Sequence, residues 1–507
     1  MVRIRHIHRL RPGAGPLVAV AVAAVLGGMT GCSLTLVDRT ECSDNVQCRT
    51  EFGLGSVCGD EGFCERVQTP ARCGKAFPED FFDKPDEYAD HILLGTLFSF
   101  ETHNDTLQAA ELAVRQVNQN GGLDGQRYAI VHCDYESMAG DDLDDIAAVE
   151  LLAPFLAETF GVPAIIGPRG TSRTESTFNA VRDDAVVVIS PSATSPALTA
   201  LDGSLPSDAM PGFLWRTAPP DSLQSEVIAS DMLDRGVTNV AVIFQQGAYG
   251  DGLAALFVQR FTDGGGGEVQ QFPFEAGSDF AASVATVGEA IDGGVDEVLF
   301  VSSDIVDYIE FFQAATATAN LERQYTMQLG INLAEGGLFL ADAAFSEMLL
   351  EATVSTSQAL YAKVRGSRPA PAEGVLFDSF AASYTSTFNE SSTGSAYTPH
   401  AYDAAWLVIY GTAWSQFQRG EISGLGIAQG LRKISSGSAV DILPASWTTV
   451  VDSFRNGQPV NVNGASGILD YDLTTEETSA PIETWRIVAN AEEPSGFGFE
   501  RIAVVAP

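Results

Sequence analysis

Hydrophobic positions along this chain fall in short β-branched runs separated by stretches of helical spacing. "HILLGTLFSF" starts as a buried strand and is expected to break at Gly95. Asp105 followed by Gln108 forms a capping-box pattern. Leu107, Ala110, Val114 and Val117 then recur at helical spacing, and Gly121 sits where a C-terminal glycine belongs. "YAIVHC" predicts the next strand and "DDIAAVELLAPFLAETF" the next helix, with Ala164–Ile166 and Val186–Ile189 as two further strands. Alternation of this kind predicts a parallel sheet with helices on both faces.

A second series follows. "NVAVIF" (239–244), "DEVLFVSS" (296–303) and "RQYTMQLG" (323–330) predict strands, and "YGDGLAALFVQRF" (249–261) a loop and helix. "EATVST" (351–356) is where the chain is expected to cross back, and "PHAYDAAWLVIYGTAWSQF" (399–417) predicts a long, apolar helix. "GILDYD" and "ETWRIV" predict two closing strands. The fold class is therefore α/β: two Rossmann-like lobes with parallel sheets, joined by a multi-strand hinge. Residues 91–217 and 351–420 are assigned to the first lobe, and 218–350 and 421–507 to the second.

The N-terminus adds segments outside these lobes. Arg3, Arg5, Arg9 and Arg11 precede the apolar run "PLVAVAVAAVLGGM" (16–29), which is too short to span a bilayer comfortably. Residues 1–31 read as an export signal and 32–41 as a tether. "MTGC" ends the signal and resembles a lipobox, which would place a lipid on Cys32 and the chain outside the cytoplasm, facing the periplasm or the cell surface.

Cysteine usage fits an oxidising compartment. Lipidation of Cys32 leaves six: Cys42, Cys48, Cys58, Cys64, Cys73 and Cys133. The first four lie in "CSDNVQCRTEFGLGSVCGDEGFC" and lack the paired C-x2-C of most zinc sites. Two disulfides inside 42–64 are expected, with Cys73 left for Cys133. Residues 42–73 form a Cys-rich module and 74–90 a linker. The formal net charge of −38 excludes a nucleic-acid partner, since phosphate binding needs clustered Lys and Arg.

Candidate chemistry gathers at two strand ends. Ile165-Ile166 runs into Gly167–Thr174, and Val186–Ile189 into Ser190–Ser195. In an open parallel sheet, ligands bind outside the carboxyl ends of the strands. Hydroxyls and the free N–H groups of a following helix can hold a carboxylate there; they serve equally as caps and turns. The chain contains no G-x-S-x-G, H-E-x-x-H, P-loop or G-x-G-x-x-G pattern, so no enzyme, cofactor or metal site is expected. "DYESMAGDDLDD" (134–145) misses the calcium-loop pattern at Met138; its aspartates suit the start of the next helix.

The order "GGLDG", "IIGPRGTSRTES", "VVVISPSATSPAL", "FLWRTAPPDSLQ", "VAVIFQQGAYGDGLA" and "HAYDAAWLVIYG" resembles the type I periplasmic solute-binding proteins of the branched-chain amino-acid (Leu/Ile/Val) branch. The resemblance covers residues 91 to about 490. It implies a small amino acid-like ligand held between two lobes and an ABC permease as partner. The ligand's carboxylate would meet Thr171, Ser172, Ser192, Ala193 and Thr194, with Tyr249 capping it from the second lobe. The acid that the resemblance implies for the ligand's ammonium falls near "LGINLAEG", where this sequence offers Asn332. A ligand-sensing receptor of the same fold, or a docking module built on the Cys-rich head, are the alternatives to transport.

Overall fold

A computed structural model describes residues 40–136, 143–202, 206–392 and 394–507. The leader, Cys32 and the tether up to residue 39 lie outside these residues, as does 137–142 of the acidic segment.

The first-lobe sheet contains β1 (Lys75–Phe77), β2 (Ile92–Leu97), β3 (Tyr128–Cys133), β4 (Ala164–Ile166), β5 (Val187–Ser190) and β6 (Leu214–Arg216), in the order β1-β3-β2-β4-β5-β6. All pairs are parallel except β1 with β3. The second-lobe sheet contains β7 (Val240–Gln245), β8 (Val269–Phe274), β9 (Glu297–Val301), β10 (Leu338–Leu340), β11 (Val364–Pro369), β12 (Ile482–Ala489) and β13 (Phe497–Val505). Its order is β8-β7-β9-β10-β11-β12-β13, with β12 and β13 antiparallel. The central strands are buried on both faces, which is why they read as continuous apolar runs.

Helices cover the sheets. In the first lobe these include α1 (Asn104–Gln119), α2 (Asp145–Pro154) and α3 (Thr171–Val181). In the second they include α4 (Asp221–Asp234), α5 (Gly250–Asp263) and α6 (Ile305–Ala315). The long helix α7 (Thr398–Arg419) returns to the first lobe, where Trp406 and Tyr410 are fully buried. The helix Gly424–Leu431 lies close against α7 through facing glycines: a Cβ on Gly430 would stand 2.9 Å from the Gly411 Cα.

Several expectations are corrected. Gly95 does not break β2; the strand continues to Leu97, and a side chain at Gly95 would press on Leu156 at 3.0 Å. The capping box is absent. His103 is the N-cap of α1, and Asp105 instead accepts hydrogen bonds from the Ser395 and Thr398 hydroxyls. Residues 323–330 are helical turns, not a strand; Tyr325 turns inward and its hydroxyl donates to the Val284 carbonyl at 2.9 Å. The strand is β10, whose three residues are fully buried. Residues 351–356 belong to the helix Glu347–Ser357 of the second lobe.

The lobe boundaries move for the same kind of reason. The chain crosses between β6 and α4, again after β11, and a third time before β12, not at 350/351 and 420/421. "VRGSRP" hides a buried strand because its arginines are neutralised inside the lobe. Arg365 pairs with Asp231 and Glu335, and Arg368 with Glu483.

The Cys-rich head is a short helix (Asn45–Phe52) and a hairpin (Ser56–Cys58 with Cys64–Arg66), closed by Cys42–Cys58 and Cys48–Cys64. Cys73–Cys133 joins it to β3. The expected linker contributes β1 to the first-lobe sheet and buries Phe81.

Candidate functional site

Both sheets reverse their strand order at one point: between β2 and β4 in the first lobe, and between β7 and β9 in the second. A crevice opens outside the carboxyl ends of the strands at such a point. The loops following these four strands line one cleft of about 670 Å³. Thr102, His103, Gly170, Ser172 and Arg173 stand on one wall, and Gln245, Ser303, Asp304 and Asp307 on the other.

Arg173 bridges the walls. Its guanidinium donates to Asp145 at 2.8 Å within its own lobe and to Asp304 at 2.7 Å across the cleft. It also lies 4.9 Å from the Tyr135 ring centroid. Burial is the largest single influence on Asp304 and opposes its ionisation, but the Arg173 charge, the hydrogen bonds from Arg173 and Gln245 and the Arg169 charge together outweigh it and hold its carboxyl below the usual range. Asp307 has no such partner. Burial, with Asp304 adding to it, pushes its carboxyl up to about 7. His103 is held well below its ordinary value by burial and by the Arg169 and Arg173 charges, so its ring is neutral.

A second, tight compartment lies beside the cleft, about 10 Å³ in volume. Arg169 and Ser192 reach it from the first lobe, Tyr249, Ser303 and Asp342 from the second, and Tyr397 closes it. Asp342 follows β10. It accepts hydrogen bonds from the hydroxyls of Tyr249 and Tyr397 and from Gln224 Nε2, the last at 2.9 Å. Deeper in the hinge, Asp221 is fully buried; burial first and then the Asp342 charge push its carboxyl up to about 8.

The candidate residues from the sequence divide among these places. Ser192 and Tyr249 meet at the tight compartment, and the Ser192 hydroxyl accepts the Gly170 N–H at 3.1 Å. Ser172 lies exposed on the rim of the larger cleft. Thr171 is buried, and its hydroxyl accepts the Ser195 N–H at 3.4 Å, tying the two first-lobe loops together. Ala193 is buried with its carbonyl turned to Arg216 (3.1 Å). Thr194 is buried at the hinge, where its carbonyl accepts the Asp221 N–H at 2.8 Å. Asn332 is exposed in the loop before β10, at the opposite end of the strand from the cleft. The neighbouring acid Glu335 is bound to Arg365 and Arg486.

Sequence reasoning missed Asp342, Arg169, Arg173 and Asp304. A signal for the first existed: two glycines, an apolar run and then an acid in "GGLFLAD".

Two parallel-sheet lobes that face each other across a hinge crossed three times define a two-lobed binding protein of the type I periplasmic fold. The chain belongs to the family of the receptor ligand binding region ("Receptor family ligand binding region"), which its residues 105–472 match. The chain is similar to the chemotactic signal transduction system substrate-binding protein BasB of Halobacterium salinarum, at 26% identity over 395 residues, covering 73% of this chain and 79% of that protein. It is similar to the Leu/Ile/Val-binding protein of Escherichia coli K12 at 29% identity over 178 residues, 35% of this chain and 44% of that one. Among solved structures, the leucine-binding protein LivK of Thermotoga maritima superposes with a TM-score of 0.60 at 17% identity, covering 82% of this chain and 99% of that chain. An R. palustris solute-binding protein in complex with 4-hydroxybenzoate gives 0.61 at 13% identity, covering 82% and 97%. Likenesses of this size in the solved structures carry the fold. No helix among the described residues is long and apolar enough to cross a membrane.

Proposed function

We propose that this chain is an exported, lipid-anchored solute-binding protein that captures a small polar ligand bearing a carboxylate between its lobes and hands it to an ABC transporter. The reading rests on one observation: loops from the switch points of both sheets meet at a single interlobe cleft, where a bound ligand would touch both lobes and favour their closure. The reading assigns no reaction to the chain. Amino acids, amides and small organic acids, screened by thermal shift, test it. A ligand at about 100 times its dissociation constant adds roughly 2.7 kcal/mol of stability. A flat response across all three classes would refute ligand capture.

Anchoring through Cys32 is tested separately. Cys32→Ser is expected to release the chain from the detergent phase with loss of the lipid mass.

A sensory receptor is the second reading, favoured by the similarity to BasB, whose name places it in a chemotactic signalling system. Crosslinking in membranes separates the two. Capture of a permease subunit supports transport, and capture of a transducer supports sensing.

A further inference from the structure

Arg169 is 5% exposed, yet among the described residues no carboxylate stands within 4.0 Å of it. Its guanidinium donates to the Ser395 hydroxyl at 3.3 Å and lies 5.3 Å from the Tyr397 ring centroid. Two other buried arginines at the strand ends of this lobe differ. Arg173 holds Asp145 and Asp304, and Arg216 holds Glu477. A buried cation without a counter-ion is unfavourable unless a partner arrives. Arg169 lines the tight compartment, where a ligand would supply one; the neighbouring cavity of about 210 Å³ that it also lines carries the carboxyl groups of Glu101, Asp105, Glu347 and Glu351, so an acid is received on the side of the tight compartment.

The facing acid is in the reverse condition. Asp342 already accepts from Tyr249, Tyr397 and Gln224, so it has little capacity left for a ligand's ammonium. The tight compartment thus pairs a cation that has no direct ion pair with a satisfied anion. His103, which lines both adjoining cavities, is neutral and does not compete for an incoming anion. Asp105 reaches Arg169 only through the Ser395 hydroxyl, which donates to Asp105.

We propose that Arg169 sets the charge of the ligand: it receives the carboxylate of a small organic acid carrying net negative charge, in preference to a neutral amino acid or an amine. A planar guanidinium takes a carboxylate through two parallel hydrogen bonds. The compartment is too small to admit a ligand as it stands, so the acid enters when the lobes part and takes the place of the Ser395 contact. This inference rests on the ligand-capture reading above.

The test uses the purified full chain at pH 7, with L-glutamate, succinate and benzoate as net anions, L-leucine as a neutral zwitterion and putrescine as a cation. At least one anion is expected to raise the melting midpoint, and leucine and putrescine are not. By calorimetry, Arg169→Gln weakens that acid roughly ten- to a hundredfold, while Arg169→Lys, which keeps the charge, weakens it less. Should the Gln variant fail to fold, the Lys variant and the wild-type ranking decide. Binding of leucine or putrescine without the acids overturns the proposal and leaves ligand capture standing. So does an acid affinity that Arg169→Gln leaves within twofold. Silence from every probe overturns this inference, and ligand capture is then decided by the wider screen above.

Discussion

The two compartments of the cleft are built alike and filled differently. Both lie outside the carboxyl ends of parallel strands, and loops of both lobes line each. In the tight one, Arg169, Tyr249, Tyr397 and Asp342 fill the space with their own side chains. In the larger one, Arg173 reaches across to Asp304 and leaves about 670 Å³ beside it. The strand ends fix where a crevice forms. The length and partners of the side chains projecting from them decide whether it is open.

The contrast can be broken most strongly at Asp342. Asp342→Ala leaves two tyrosine hydroxyls and the Gln224 amide without their acceptor, and is expected to destabilise by about 3–5 kcal/mol. Urea unfolding measures this. A loss below about 1 kcal/mol would mean the compartment is not held by that carboxylate.

Asp221, behind it, comes next. Its carboxyl titrates at about 8 when folded, against 3.8 as the ordinary value. Between those pH values the folded chain keeps a proton that the unfolded chain has released. Its contribution to stability therefore falls as pH rises from about 4 to about 8 and is level outside that window. Asp221→Asn is expected to raise stability by on the order of 2–4 kcal/mol at pH 8 and by little at pH 4. Equal gains at both values would exclude a buried proton.

Arg173 tests the larger compartment. Its partners Asp145 and Asp304 keep 33% and 29% of their side-chain surface, so water relieves part of the loss. Arg173→Met is expected to cost about 1–2 kcal/mol and to increase the radius of gyration of the ligand-free protein by small-angle scattering. An unchanged radius would mean that other contacts alone keep the lobes together.

Thr171→Val makes the smallest change. The hydroxyl ties two loops of one lobe, so about 1 kcal/mol of stability should go while ligand affinity stays unchanged. Lost affinity with intact stability would place Thr171 against the ligand.

The sequence made the first lobe legible through "IIGPRGTSRTES" and "VVVISPSATSPAL", because short apolar runs ending in small polar residues mark strand ends. It made the second lobe's acid illegible. β10 has three residues and no alternation, and periodicity cannot separate such a run from a buried helix segment. A strand placed at 323–330 puts the acid beside Asn332, one strand-length from Asp342. β11 was hidden by its own arginines, since neutralisation by Asp231 and Glu483 depends on residues more than a hundred positions away. Arg169 stood in plain view inside "GPRGTS", but a missing counter-ion is visible only in three dimensions.

The attachment of the Cys-rich head has a mechanical consequence. Cys73–Cys133 and the pairing of β1 with β3 bolt the head to the first-lobe sheet, and Arg49 donates to the Glu158 carbonyl of that same lobe. A pull on the backbone at residue 40 therefore loads one lobe alone and bypasses the hinge strands. When the lobes part, the head therefore travels with the first lobe.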